Sequence, residues 1–155
     1  MKELLEYREK MIERLKQAAE EFCLVCGQVQ DAYTPTSVGE WNVHQIASHV
    51  THVHLEVYGW RARRTVDEDN PIFQNYDAEV WMAESYDDKE PLVPMLNSFN
   101  TQVSSFADWL QALPSEAWSR ESQHETLGSG FTTQLWVERD LAHIEEHLDS
   151  VRKAA

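Results

Sequence analysis

Four stretches of this chain repeat apolar residues at spacings of three and four, and that period restricts the fold more than any other feature. Leu4, Met11, Leu15, Ala18, Phe22 and Val25 mark a first helix over residues 2–28. Ile46, Val50, Val53, Val57 and Trp60 mark a second, running to about Thr65. Asn42 is placed to cap it, with Gln45 three residues on in a capping-box variant. A third helix opens near Glu90 and Pro91, where proline suits the first turn, and carries Leu92, Leu96, Phe99, Val103, Phe106, Leu110 and Leu113. The last starts near Thr132 and carries Val137, Leu141, Ile144, Leu148 and Val151. Each stripe must be buried against a neighbour, and no segment alternates convincingly like a strand. The expected fold class is therefore all-α, a four-helix bundle forming one domain over residues 1–155. Residues 66–89 hold a loop rich in Asp, Asn and Pro and then a short helix, "AEVWMAESY". They make a long connection between the second and third long helices, with room for a crossover. The stretch "PSEAWSRESQHETLGSGF" reads as a loop.

Charge narrows the function classes. With 27 acidic and 13 basic residues the formal net charge is −14. Such a field repels phosphate backbones, so no nucleic-acid partner is expected. The one basic cluster, Arg61 to Arg64 in "RARR", is short and flanked by acidic residues. No apolar run approaches the ~20 residues of a membrane span, so no membrane partner is expected either. The charged, helical N-terminal segment lacks an apolar signal core, and a cytoplasmic location follows by default. Cys23 and Cys26 form a C-x-x-C without a second pair or a strand–helix context, and read as small half-buried thiols.

The histidines are the chemical signal. His143 and His147 are four residues apart and share a row with Trp136 and Asp140, beside the core stripe of the last helix. The second helix has a matching row in Gln45, His49, His52 and Glu56. His44 and His54 point away from the core stripe and are read as exposed; His124 lies in a loop. Hydrogen-bonded interior or rim histidines would explain the rows. So would metal ligands: if the second and last helices pack together, His49 meets His143 and His147. Neutral imidazoles suit zinc, nickel, iron or copper, and three protein ligands leave an open position for water or substrate. Glu56 and Asp140 are the second-tier catalytic candidates, as general base or as partners that orient a ligating imidazole. His52 is a candidate fourth ligand or a rim residue. Trp41, Trp60, Trp81 and Trp136 could line a pocket or simply pack in the core.

Three motifs carry a family resemblance. "EWNVHQIASHV", with Trp41, Asn42 and His49, resembles the start of the second helix in the DinB/YfiT-like superfamily of metalloenzymes. "HIEEHLDSVRK" resembles that superfamily's closing histidine pair, although Ser150 and Val151 stand where Gln and Ile are common. "VDEDNPIFQNYDAEVW" is similar to the linker of the branch described as DinB-like domain two. The resemblance implies a four-helix bundle with a divalent transition metal, zinc or nickel first and iron next, held by His49, His143 and His147. It also implies activation of a thiol or a water, for transfer to or hydrolysis of a small electrophile. Low-molecular-weight thiols are among the implied substrates and a homodimer among the implied assemblies. The alternative from another class is a non-catalytic protein that binds or sequesters a metal or small ligand. The charge reading has its own consequence: a gel-shift with duplex DNA at physiological salt should show no complex at micromolar protein, and a micromolar complex would overturn it.

Overall fold

The four apolar stripes fold as four rods. The computed structural model describes residues 1–155 and places α1 at Lys2–Gln28, α2 at Val43–Val53, α3 at Gly59–Asp67, α4 at Ala78–Ser85, α5 at Leu92–Ala112 and α6 at Thr133–Arg152. A π-helical turn at His54–Tyr58 joins α2 to α3, so the two make one long rod. The capping box forms as expected, Asn42 accepting from the Gln45 amide while the Gln45 side chain accepts from the Asn42 amide. The stripes meet in one contiguous core, where Phe22 of α1 packs edge-to-face on Phe99 of α5 with ring centroids 5.7 Å apart. No helix is long and apolar enough to cross a membrane.

The order of the rods around the bundle is unusual. α1 packs on α5 and α6, and the α2–α3 rod also packs on α5 and α6. So α1 lies diagonally across from α2, and α5 diagonally across from α6. The connection over residues 66–89, which had room for a crossover, joins neighbours. The diagonals are crossed by residues 29–42 and 113–132.

The π turn changes which residues of the second rod face inward. Inserting one residue into a helix rotates everything after it by about 100°. Gly59, Arg61, Ala62 and Thr65 therefore turn in, while Trp60, expected on the core stripe, is 41% exposed. Gly59 makes the turn possible, because a Cβ there would overlap the carbonyl oxygen of His54.

Strands are present where none was expected. β1 (Ile72–Phe73) pairs in parallel with β2 (Glu121–His124), which pairs antiparallel with β3 (Gly128–Thr132) across a bulge at Ser122/Gln123. Their inward positions include Ser122 and His124, both buried, so the apolar alternation that marks a strand is missing. Polar bonding replaces it. Trp136 Nε1 donates to Ser122 Oγ, and Ser122 Oγ donates to the Phe131 carbonyl, each at 2.8 Å. His124 Nδ1 accepts from the Leu127 amide at 3.2 Å and closes the hairpin. The sheet covers Trp136, which stacks on Phe131 with centroids 5.0 Å apart.

Other polar residues are spent on architecture. His44, expected to be exposed, is fully buried: its ring bonds the Tyr86 hydroxyl (2.5 Å) and the Glu90 carbonyl (2.7 Å), and Tyr33 stacks on it. It fastens residues 86–90 to α2. In the "RARR" cluster, Arg61 lies over Trp136, Arg63 over Trp109 and Arg64 over Trp60, which leaves no free basic face. Both cysteines are free thiols, with Cys26 buried and Cys23 donating to the Leu96 carbonyl at 3.3 Å. Burial pushes their pKa values up to about 11 for Cys23 and about 12 for Cys26, as packing rather than redox residues would have. The π turn is directly testable. Gly59→Ala should destabilise the protein by about 2 kcal/mol, the usual range for forcing extra carbon into a packed interior. Urea unfolding measures this, and an unchanged midpoint would show that the turn relaxes freely.

Candidate metal centre

The site lies where α2 meets α6. The Asn42 cap sets the start of α2, and the Thr132 hydroxyl, which accepts from the Leu135 amide, sets the start of α6. Seven residues into α2, His49 turns toward α6 and meets His143 and His147. One nitrogen from each ring falls within a cluster whose members are all within 4.8 Å of one another. Ring centroids are 4.8 Å apart for His49 and His143, 5.0 Å for His49 and His147, and 4.5 Å for His143 and His147. The Nε2 atoms of His49 and His143 face each other at 2.9 Å.

Desolvation is the largest influence on all three rings. It lowers the pKa of His49 to about 3 and of His143 to about 2, with the neighbouring histidines adding to the effect. His147 is lowered as well, with Glu146 opposing. The rings are thus held neutral, the protonation state that ligates a metal. Two Nε2 lone pairs aimed at each other are unfavourable unless a proton or a cation lies between them. His143 Nδ1 and His147 Nδ1 are also buried without partners. The convergence of neutral rings with facing Nε2 atoms fits a divalent transition metal. The unpartnered second nitrogens fit a purely hydrogen-bonded histidine cluster poorly, since that would pair them.

Aromatic rings surround the cluster. Trp41 meets His49 edge-on at 5.0 Å, and Tyr76 and Trp81 lie 6.4 Å from the same ring. Tyr58 lies 5.8 Å from His143. All four are half-buried. Burial pushes the Tyr76 phenol up to about 12, so it stays protonated. Of the tryptophans named from the sequence, Trp41 and Trp81 adjoin the site. Trp136 is buried under the sheet, and Trp60 packs against Arg64 at the surface.

The expected auxiliary residues sit elsewhere. Glu56 is exposed, and its carboxylate acts on His52, opposing the lowering of that ring's pKa by burial. His52 stacks on Trp81 at 4.6 Å, outside the three-histidine cluster. Asp140 is fully buried and bonded to His54, Oδ2 to Nδ1 at 2.7 Å. Neither carboxylate bonds to a cluster histidine, because Asp140 reaches across the junction to His54 and Glu56 faces solvent. His54, expected to be exposed, is 3% exposed and sits edge-on to Phe106 at 5.2 Å. Its place on the helical wheel, about 40° from Val50, is central to the buried face. Its polarity hid that. Tyr76 had no sequence signal, since it lies in an aperiodic linker.

Fold and site together define a helical-bundle protein with a three-histidine centre of metal-binding character. No protein-family model matches the chain. Over 125 residues, covering 77% of this chain and 69% of the relative, it is 30% identical to a Bacillus cereus (strain ATCC 14579) protein named "Putative metal-dependent hydrolase". A Bacillus pumilus protein of the same name is 27% identical over 150 residues, 91% of this chain and 85% of that one. Among solved structures, YfiT from Bacillus subtilis superposes with a TM-score of 0.86 at 18% identity, covering 96% of this chain and 86% of that one. It is described as having "an unusual four-helix bundle topology". The chain belongs to the DinB/YfiT-like superfamily.

The depressed histidine pKa values predict acid sensitivity of the metal-free protein. Below about pH 6.5 the unfolded chain protonates these histidines while the fold does not. The unfolded state then binds more protons, so stability falls as pH falls, by at most about 1.4 kcal/mol per pH unit for each group. The urea midpoint should drop between pH 7 and pH 5, and His143→Gln should flatten that slope. Equal slopes in the two proteins would refute the assignment of buried neutral rings.

Proposed function

We propose that the protein is a metal-dependent hydrolase acting on a small, uncharged electrophile such as an ester or amide. The observation that carries this reading is the buried cluster of His49, His143 and His147, whose neutral nitrogens converge at the junction of α2 and α6. Three histidine ligands leave a coordination position open, the mark of a catalytic rather than a structural site. A divalent ion bound there supplies Lewis acidity and a water of lowered pKa. The names carried by the Bacillus relatives support hydrolysis. Nothing observed favours thiol transfer over attack by water.

The chain's own groups do the rest. The three rings hold their lone pairs toward one point and, being neutral, add no charge of their own. Trp41, Trp81 and Tyr58 provide apolar walls that exclude bulk water and pack against the flank of a substrate. The side chains found against the cluster, Trp41, Tyr58, Tyr76 and Trp81, are aromatic and carry no cation to pair with a phosphate or carboxylate, which favours an uncharged substrate. Asp140 has a supporting role, holding His54 one turn before the histidine pair on α6.

The test has two stages. Elemental analysis after loading with zinc or nickel should find about one ion per chain in the wild type and little in His143→Ala, as expected when a three-ligand site loses a ligand. Full metal content in His143→Ala would remove the site assignment. A panel of neutral activated esters and amides should then be hydrolysed by the loaded wild type, with activity lost in His49→Ala and on chelation. Binding without turnover across that panel would overturn the hydrolase reading in favour of a metal or ligand sequestering protein.

A further inference from the structure

Each ring in the centre uses one nitrogen at the cluster, so its second nitrogen decides how the ring is held. A neutral imidazole carries a single N–H. Nε2 of His49 faces the cluster, so ligation through Nε2 puts the hydrogen on Nδ1. The corresponding atoms of His143 and His147 are buried without partners. His49 differs, because the hydroxyl of Tyr76 lies 3.4 Å from its Nδ1 and the two rings stand nearly parallel, at 16°. That distance is at the long end of hydrogen bonding.

Tyr76 comes from the linker between β1 and α4, yet it is held on both sides. Before it, Phe73 is buried and paired in β1, Arg61 donates to the Gln74 carbonyl at 2.7 Å, and the Asn75 amide donates to Glu125 at 2.9 Å. After it, Asp77 caps α4 by accepting from the Glu79 and Val80 amides. The ring also lies against His52 at 5.6 Å. A loop residue fixed this closely keeps its side chain where the backbone sets it.

We propose that Tyr76 is a positioning residue of the metal centre: its phenol oxygen accepts the Nδ1–H of His49 and so holds that ring with Nε2 toward His143 and His147. An outer partner of this kind fixes both tautomer and orientation of a ligating histidine. The small sheet acquires a purpose as well, since β1 and its pairing to β2 deliver Tyr76 to the site. The inference rests on metal binding at the three histidines and is independent of which reaction follows.

Long-range proton–nitrogen NMR on zinc-loaded protein labelled at histidine reads the arrangement directly, beside zinc affinity from competition with a chromophoric chelator. The wild type should show His49 bound through Nε2 with a protected Nδ1–H. In Tyr76→Phe, which removes one oxygen and keeps the ring, that proton should exchange rapidly with water. Zinc affinity should fall about tenfold, within the range seen when an outer-shell partner is removed. The metal-free variant should melt with the metal-free wild type, which separates positioning from a general loss of structure. An affinity within about twofold of wild type with an unchanged Nδ1–H, or ligation through Nδ1, would overturn the proposal. A wild type that shows this signature yet hydrolyses nothing refutes the hydrolase reading and upholds Tyr76; one that binds no zinc refutes both.

Discussion

The junction between the α2–α3 rod and α6 buries polar side chains along its whole length, and the rest of the molecule is arranged to make that tolerable. His54 is bonded to Asp140, His49 meets His143 and His147, and Arg61 lies over Trp136. A buried polar group left without a partner costs roughly 1–3 kcal/mol, so such a row persists only if each member finds one. The pairings run across the junction, not along either helix. The two rods therefore cannot slide by even one residue without orphaning several groups together. Pairing within the protein is incomplete at Asp140 Oδ1, at Thr133 Oγ1 and in the histidine cluster, and the cluster is where a metal fits.

That junction needs the second and fourth rods to be neighbours, which a plain up-down-up-down ring does not allow, because there they lie on a diagonal. The observed order places α1 opposite α2 and α5 opposite α6, and so brings the second and last rods side by side. The cost falls on the connections. Residues 29–42 and 113–132 must cross the bundle ends, and both carry structure of their own. Residues 35 and 42 form an isolated bridge in the first, and β2 and β3 occupy the second. The sheet thus closes the end of the bundle over Trp136 while also supporting the linker that carries Tyr76. Topology, the small sheet and the site depend on one another.

The amino-acid sequence by itself determined the four rods, the cap of the second and the metal-ligand candidates. Apolar stripes of period 3.6, the Asn42–Gln45 box and the spacing of His143 and His147 are local signals, written within a turn or two of each helix. The pairing of His49 with that doublet could be anticipated because each lies on a polar row beside a core stripe. His54 was also present in the same arithmetic, in the middle of the buried face of α2, although its polarity suggested the surface.

The tertiary structure alone decided what depends on contacts between distant segments. The phase change after His54 comes from one residue accommodated in a π turn, and only the space above Gly59 makes it possible, so Trp60 moved outward. The strands draw their stability from pairing across some fifty residues and from Trp136 beneath them, and their own polar sequences carry no alternation. Asp140 took His54 as its partner instead of a histidine of the cluster, and Glu56 stayed in solvent. Tyr76 reached His49 from an aperiodic linker. A local pattern records which face of a helix is apolar; it does not record which rod lies opposite, and that neighbour is what turns a row of polar side chains into a site.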